Sequence, residues 1–407
     1  MPTRRLILTG AGGVAASALC GTPAFSAHRH AKPAANAAGE PEDAVPTSPA
    51  DTPIGPLDTV ARWAFIMDAT TGAVLLHKAS DELMPPSSLT KMMTAYLVFT
   101  ALSQSRLRLD QTLPVSEKAW RMQGSKMFVP LGEQVSVADL IRGMLIQSGN
   151  DACIVLAEGL AGSEEQFVVL MNKEAQTLGL AQTQFRNATG WPDPDHHMSA
   201  HDVAMLAFHL IRDYPQYYHF FSEKDYKYNN IAQGNRNILV DKGLADGLKT
   251  GHTDAGGFGL CASSERDGRR IIEVLNGMPS SRARAEEGER LLSWAFANFE
   301  DVRLFAKNEV VQSIPVWMGT QHTVPIASPA DVLLTMPHGW RSRAKIRVDF
   351  QAPLPAPVSA GQVVAQLVIS GTGLADVQLP LVAATAVPRL ALPNRAIAVL
   401  EHAIGGG

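Results

Sequence analysis

The sequence is poor in cysteine: only Cys20, Cys153 and Cys261 occur in 407 residues. That supply excludes a disulfide-stapled scaffold and a cysteine-rich metal centre. It leaves Cys153 and Cys261 as buried reduced thiols rather than a bridge. Basic excess is missing too. Thirty-five Lys and Arg stand against 39 Asp and Glu, a net charge of −4, and no long block of one sign occurs. The chain therefore has no electrostatic footprint for nucleic acid. Apolar residues make up 46% and mean hydropathy is +0.00, the balance of a folded soluble protein rather than a membrane-spanning one. The length exceeds one ordinary core, so two domains plus tails are expected.

The N-terminus has the parts of an export signal over residues 1–26. Arg4 and Arg5 form a charged start, Leu6 to Leu19 is small and apolar, and Ala24-Phe25-Ser26 offers a small-x-small cleavage site. Thr3-Arg4-Arg5 fits a twin-arginine signal and the general secretory route alike. A lipoprotein site at Cys20 is rejected, because Leu19 stands where a small residue is needed. Residues 27–55, rich in Ala, Pro, Glu and Thr, bury too little to offset their ordering entropy and read as a disordered linker.

From Arg62 the pattern changes. Trp63 to Met67 and Ala73 to Leu76 flank Asp68-Ala69-Thr70-Thr71-Gly72, a strand–turn–strand. Leu89 to Leu102 is apolar and free of Gly and Pro, which predicts a buried helix opening near Ser88. Ser136 with Asp139, Ser163 with Gln166 and Ser199 with Asp202 are capping pairs that open three more helices, the second closed by Gly179. Phe258 to Ser263 and Arg270 to Leu275 form a hairpin through Asp267-Gly268. Glu286 to Phe299 reads as a helix. Beyond residue 305, short strands at Val332 to Thr335, Lys345 to Phe350, Gln362 to Ile369 and Val377 to Val382 indicate a small all-β domain. The boundaries are 56–302 for the first domain, 303–390 for the second and 391–407 for a short tail.

Three short motifs carry chemistry. Ser88-Leu89-Thr90-Lys91 puts a hydroxyl and an amine on one face of a helix start. A lysine desolvated there loses basicity and can act as a base toward the serine. Ser148-Gly149-Asn150 interrupts two helical patterns and on its own is an ordinary interhelical turn. Lys249-Thr250-Gly251 precedes a predicted strand, with Gly251 permitting close backbone approach. Each alone is weak, and Ser342-Arg343-Ala344-Lys345 repeats the first spacing where a strand, not a helix, follows. Their order and contexts together make Ser88 the nucleophile and Lys91 its base.

With its flanks (Pro86 to Met93, Ile141-Arg142-Gly143 leading to Gln147 through Cys153, and Asp246 to Asp254) the chain resembles the low-molecular-mass penicillin-binding D-alanyl-D-alanine carboxypeptidases. The likeness covers residues 58 to 300 and continues more weakly through Val316-Trp317-Met318-Gly319. It implies an α/β, β-lactamase/DD-peptidase-like domain, an antiparallel sheet with a helical cluster, followed by a small all-β sandwich. It also implies acyl transfer at Ser88, an oxyanion hole from the backbone N–H groups of Ser88 and His252, a proton relay through Ser148 and a substrate amide held by Asn150. Lys249 would disfavour protonated Lys91, and Thr250, Arg236 and Arg284 would meet the substrate carboxylate. The segment between Arg236 and Lys249 is shorter than the family pattern. Expected partners are the peptidoglycan stem peptide and β-lactams as covalent inhibitors.

No cofactor or metal is expected: Asp193, Asp195, His196, His197 and His201 match no zinc-helix spacing. A β-lactamase would add a deacylating glutamate, and no convincing Glu-x-x-Leu-Asn segment occurs between Asn150 and Lys249. A wall-binding receptor that acylates without turnover shares the same motifs. The tail sets Ile397, Leu400 and Ile404 at helical spacing but lacks aromatics, with Arg395 opposed by Glu401. An exported, periplasmic protein with at most weak peripheral contact to the inner membrane is the expectation.

Overall fold

The structure is a computed structural model that describes residues 47–371 and 376–395. The expected export signal, the linker to residue 46, Cys20 and the tail past Arg395 lie outside the described residues.

The end of the expected linker differs from its reading. Ser48–Ala50 pairs antiparallel with Leu57–Thr59, Asp51 exchanges backbone hydrogen bonds with His77, and Ala50 is fully buried. Composition misleads here because backbone pairing, not apolar area, holds the ribbon.

Five strands build the central sheet: β1 (Trp63–Asp68), β2 (Val74–Lys78), β3 (Gly247–Thr253), β4 (Gly257–Arg266) and β5 (Arg269–Met278). Their order is β2-β1-β5-β4-β3, with every pair antiparallel. Alternation along β1 serves two cores. Trp63, Phe65 and Met67 enter the helical cluster on one face, while Ala64 and Ile66 pack with Leu291, Leu292 and Ala295 on the other. The β4–β5 turn has positive φ at Asp267 (52°) and Gly268 (79°), the hairpin the Asp-Gly pair predicts.

The longer helices are α1 (Lys91–Ser103), α2 (Val137–Leu145), α3 (Asn150–Ala161), α4 (Glu164–Thr177), α5 (Ala200–Asp213) and α6 (Ser281–Asn298). Ser136, Ser163 and Ser199 each accept a backbone N–H three residues on, as the capping pairs predict. Helix α1 is buried nearly all round and forms the middle of the helical cluster. Its entry is a separate 3-10 turn over Ser87–Thr90. Helix α6 starts ahead of the expected Glu286, capped by Ser280. Its Arg-rich first turn has no apolar period, so the sequence pattern hides it.

Past α6 the chain is all β. Phe299–Phe305 pairs with Val332–Pro337. A six-stranded sheet runs in the order 344–350, 363–371, 377–383, 323–327, 310–317, 354–355. Val310–Trp317 and Thr323–Ala327 escaped the sequence reading because Pro315 and Pro325 interrupt them. Arg269 ties the two regions together, with Nε 2.7 Å from Asp68 Oδ2, a guanidinium N–H donated to Phe299 O at 2.6 Å, and Asp301 Oδ1 at 3.4 Å.

Candidate active site

The site forms where the 3-10 turn before α1 meets the edge strand β3. Lys91 opens α1 and is completely buried. Its Nζ lies 2.9 Å from Ser88 Oγ, 2.7 Å from Asn150 Oδ1 and 2.6 Å from Thr189 O. The Asn150 amide is oriented by its own Nδ2, which donates to Gln123 O at 2.8 Å. Asn150 Oδ1 and Thr189 O are therefore fixed acceptors. A neutral Lys91 would spend its two N–H bonds on them and turn its lone pair toward Ser88. Burial pushes Lys91 down to about 8; the Arg236 charge adds to this, while Cys153 and Asp151 oppose it. The Lys91 charge in turn holds Lys249 down, so the two amines oppose each other's protonation, and Arg236 adds to both.

The turn at Ser148-Gly149-Asn150 joins α2 to α3, as its composition suggested. Ser148 is buried in the left-handed region (φ 61°) and its Oγ has no hydrogen-bond partner among the described residues. Next to it Asp151, wholly buried, accepts the backbone N–H groups of Met127, Phe128 and Val129. This pins the 123–129 rim over the start of α3. The expected hold of Asn150 on a substrate amide meets a side chain whose two ends already serve Lys91 and Gln123.

Lys249, Thr250 and Gly251 lie within β3 rather than ahead of a strand, and β3 is the sheet's edge. A Cβ on Gly251 would sit 3.1 Å from Pro86 O and 3.3 Å from Ser88 N, so the strand runs against the Ser88 backbone. His252 follows, tilted on Phe258 with ring centroids 3.9 Å apart. Lys249 is buried and held well below its ordinary value, first by burial and then by Lys91 and Arg236.

Two guanidiniums complete the cation cluster. Arg236 donates to Ser125 Oγ at 2.7 Å, and Arg284 donates to Arg236 O at 3.3 Å. Burial and Arg236 bring Arg284 down to about 10. Among the described residues neither arginine nor Lys249 has a carboxylate in salt-bridge contact. An open cleft of about 260 Å³ is lined by Ser88, Ser125, Asn150, Trp191, His252 and Asp254. Thr189, Gly190 and Ser125 were not picked out from sequence. Thr189 and Gly190 act through the backbone, which carries no side-chain signal, although Asn187 with Gly190 is a recognisable turn.

His196 belongs to the Asp193-to-His201 group that matches no zinc-helix spacing. Both ring nitrogens are engaged inside the protein, with Thr90 Oγ1 and Arg186 N. Ser342 lies exposed in a short 3-10 turn that leads into the strand Ala344–Phe350. Cys153 and Cys261 are free and buried.

Residues 49–280 match the family described as D-alanyl-D-alanine carboxypeptidase, and residues 299–389 match the penicillin-binding protein 5 C-terminal domain. The chain belongs to the D-alanyl-D-alanine carboxypeptidase family. It is 38% identical over 335 residues to D-alanyl-D-alanine carboxypeptidase DacA of Haemophilus influenzae, covering 80% of this chain and 85% of that protein. Penicillin-binding protein 5 from Haemophilus influenzae superposes with a TM-score of 0.71 at 37% identity, over 83% of this chain and all (100%) of that one. Penicillin-binding protein D2 from Listeria monocytogenes, solved in an ampicillin-bound form, aligns at 28% identity with a TM-score of 0.54, over 59% of this chain and 98% of that one. The fold shared with this family is a helix-and-sheet catalytic domain followed by an all-β domain.

Proposed function

We propose that the protein is a serine D-alanyl-D-alanine carboxypeptidase that removes the terminal D-alanine of the peptidoglycan pentapeptide through an acyl-enzyme on Ser88. The observation that carries this is the fully buried Lys91 amine 2.9 Å from Ser88 Oγ, beside cations that have no carboxylate in salt-bridge contact among the described residues. Neutral Lys91 takes the Ser88 proton as Oγ attacks the carbonyl between the two D-alanines. The Ser88 and His252 N–H groups receive the developing oxyanion. Ser148 passes a proton to the departing amine. Thr250 with Arg236, Arg284 and Lys249 holds the terminal carboxylate that a carboxypeptidase must recognise. Water then releases the acyl group. The edge of β3 suits an extended peptide, which can add as a further strand.

Labelled penicillin tests the assignment. Ser88→Ala abolishes covalent labelling and Ser342→Ala leaves it intact; labelling that survives in Ser88→Ala overturns the nucleophile. Penicilloyl-enzyme decays more slowly than the peptide acyl-enzyme, since no deacylating glutamate is supplied and the bulky leaving group of penicillin stays bound, where it blocks water. Rapid repeated turnover of penicillin would make the protein a β-lactamase instead.

The same reading places the protein in the periplasm after export. No helix among the described residues is long and apolar enough to cross a membrane. The tail gives weak, reversible contact at most, and salt-resistant liposome binding lost on deleting residues 394–407 would replace that with a true anchor.

A further inference from the structure

The segment 187–197 is fastened to the nucleophile's helix at three points. Thr94 Oγ1 donates to Ala188 O at 2.7 Å, Lys91 Nζ donates to Thr189 O at 2.6 Å, and Thr90 Oγ1 lies 2.9 Å from His196 Nε2. At its start Asn187 Oδ1 accepts the N–H groups of Gly190 and Trp191 at 2.8 and 2.9 Å. The segment is thus a stiff bracket whose inner surface is the Thr189 carbonyl on the catalytic amine.

His196 closes the far end of this bracket. The residue is 5% exposed and its ring meets Phe185 edge-on at 5.6 Å. Nδ1 accepts the Arg186 backbone N–H at 3.2 Å. A nitrogen that accepts carries no proton, so the ring proton is on Nε2 and is donated to the Thr90 hydroxyl. Burial pushes the imidazole down to about 4, against Asp193 and with His197, Lys91 and Arg186 around it, so this single tautomer persists at neutral pH. Thr90 is the residue between nucleophile and base.

We propose that His196 is a positioning residue for acyl transfer: oriented by the Arg186 N–H, it locks the 187–197 bracket to the Ser88–Lys91 turn through Thr90, keeping Thr189 O on Lys91 Nζ and water away from it. The inference rests on the Ser88–Lys91 reading above. Loosening the bracket hydrates Lys91. Because burial is the largest cause of its lowered basicity, hydration raises its pKa and leaves less neutral base at pH 7.

The test compares His196→Phe, His196→Gln and Thr90→Val with the unaltered protein. His196→Phe keeps a ring against Phe185 but loses both hydrogen bonds. His196→Gln can still donate to Thr90 and accept from Arg186. Penicillin acylation rates are followed against pH, thermal midpoints are recorded, and Lys91 is titrated by NMR with lysine labelled at the ε-carbon. For His196→Phe and Thr90→Val the expected result is a loss of roughly tenfold to a hundredfold in acylation at neutral pH, recovered in part at alkaline pH. Lys91 should titrate higher in both, and His196→Gln should restore most of the rate. A loss that is uniform across pH with Lys91 titrating unchanged overturns the proposal and leaves His196 a packing residue. So does a Thr90→Val variant equal to the unaltered protein. Failure of the unaltered protein to be acylated would overturn the proposed function instead, while the NMR titration still decides the role of His196.

Discussion

A Cβ on Gly190 would stand 1.8 Å from the carbonyl oxygen of Ser87, the residue before Ser88. Gly190 also holds φ at +83°, where side chains are strained whatever the space. Gly190→Ala therefore must displace either the Ser88 turn or the bracket that carries Thr189. It should lower stability by about 1–3 kcal/mol or more and abolish penicillin acylation. Thermal melts and labelling measure both, and a variant with the original midpoint and full labelling would show that the contact has slack.

Lys91 sets the pH dependence. Its value of about 8 is well below the ordinary lysine value because burial disfavours the charged amine. Only the neutral form accepts the Ser88 proton, so acylation should rise roughly tenfold per pH unit below 8 and level off above it. The stability linkage has the same direction. Between about 8 and about 10.4 the unfolded chain binds the proton that the folded chain has lost, so stability gained from this group rises with pH across that window. An acylation rate independent of pH from 6 to 9 would remove Lys91 as the base.

Much of the candidate site is legible in the sequence, for identifiable reasons. Ser88, Lys91, Ser148, Asn150 and Lys249 announce themselves through residue type and spacing, and capping serines mark the helices that carry them. The Thr189 carbonyl could not be read, since any residue offers one. Nor could the partner of His196, because Thr90 lies far away in sequence and only the fold brings the two together. Gly251 inside β3 rather than before it was hidden for a similar reason: a strand whose side chains are replaced by close backbone approach shows little apolar alternation.

Arg284 sits half-buried against Arg236 with no carboxylate in salt-bridge contact among the described residues. Substrates ending in a free carboxylate supply that missing charge, whereas their amides do not. Arg284→Ala should reduce kcat/KM for the free acid by the worth of a charge-assisted hydrogen bond, about 1.5–3 kcal/mol, and leave the amide nearly unchanged. Equal losses on both substrates would show that Arg284 only supports the 236–237 backbone.

Ser148 combines two unfavourable features. Its hydroxyl is buried without a hydrogen-bond partner among the described residues, and its backbone is in the left-handed region. An unpaired buried hydroxyl destabilises by about 1–3 kcal/mol, and a residue chosen for packing alone would be alanine or glycine. Ser148→Ala should therefore melt no lower than the unaltered protein, and Ser148→Gly, which also relieves the positive φ, should melt higher. Peptide turnover should fall in both by roughly a hundredfold or more, the usual contribution of a placed proton donor. The deficit should be greatest with poor leaving amines, which need the proton most. If Ser148→Ala instead melts several degrees lower while turning over peptide normally, the hydroxyl is a structural contact and the proton reaches the leaving amine by another route.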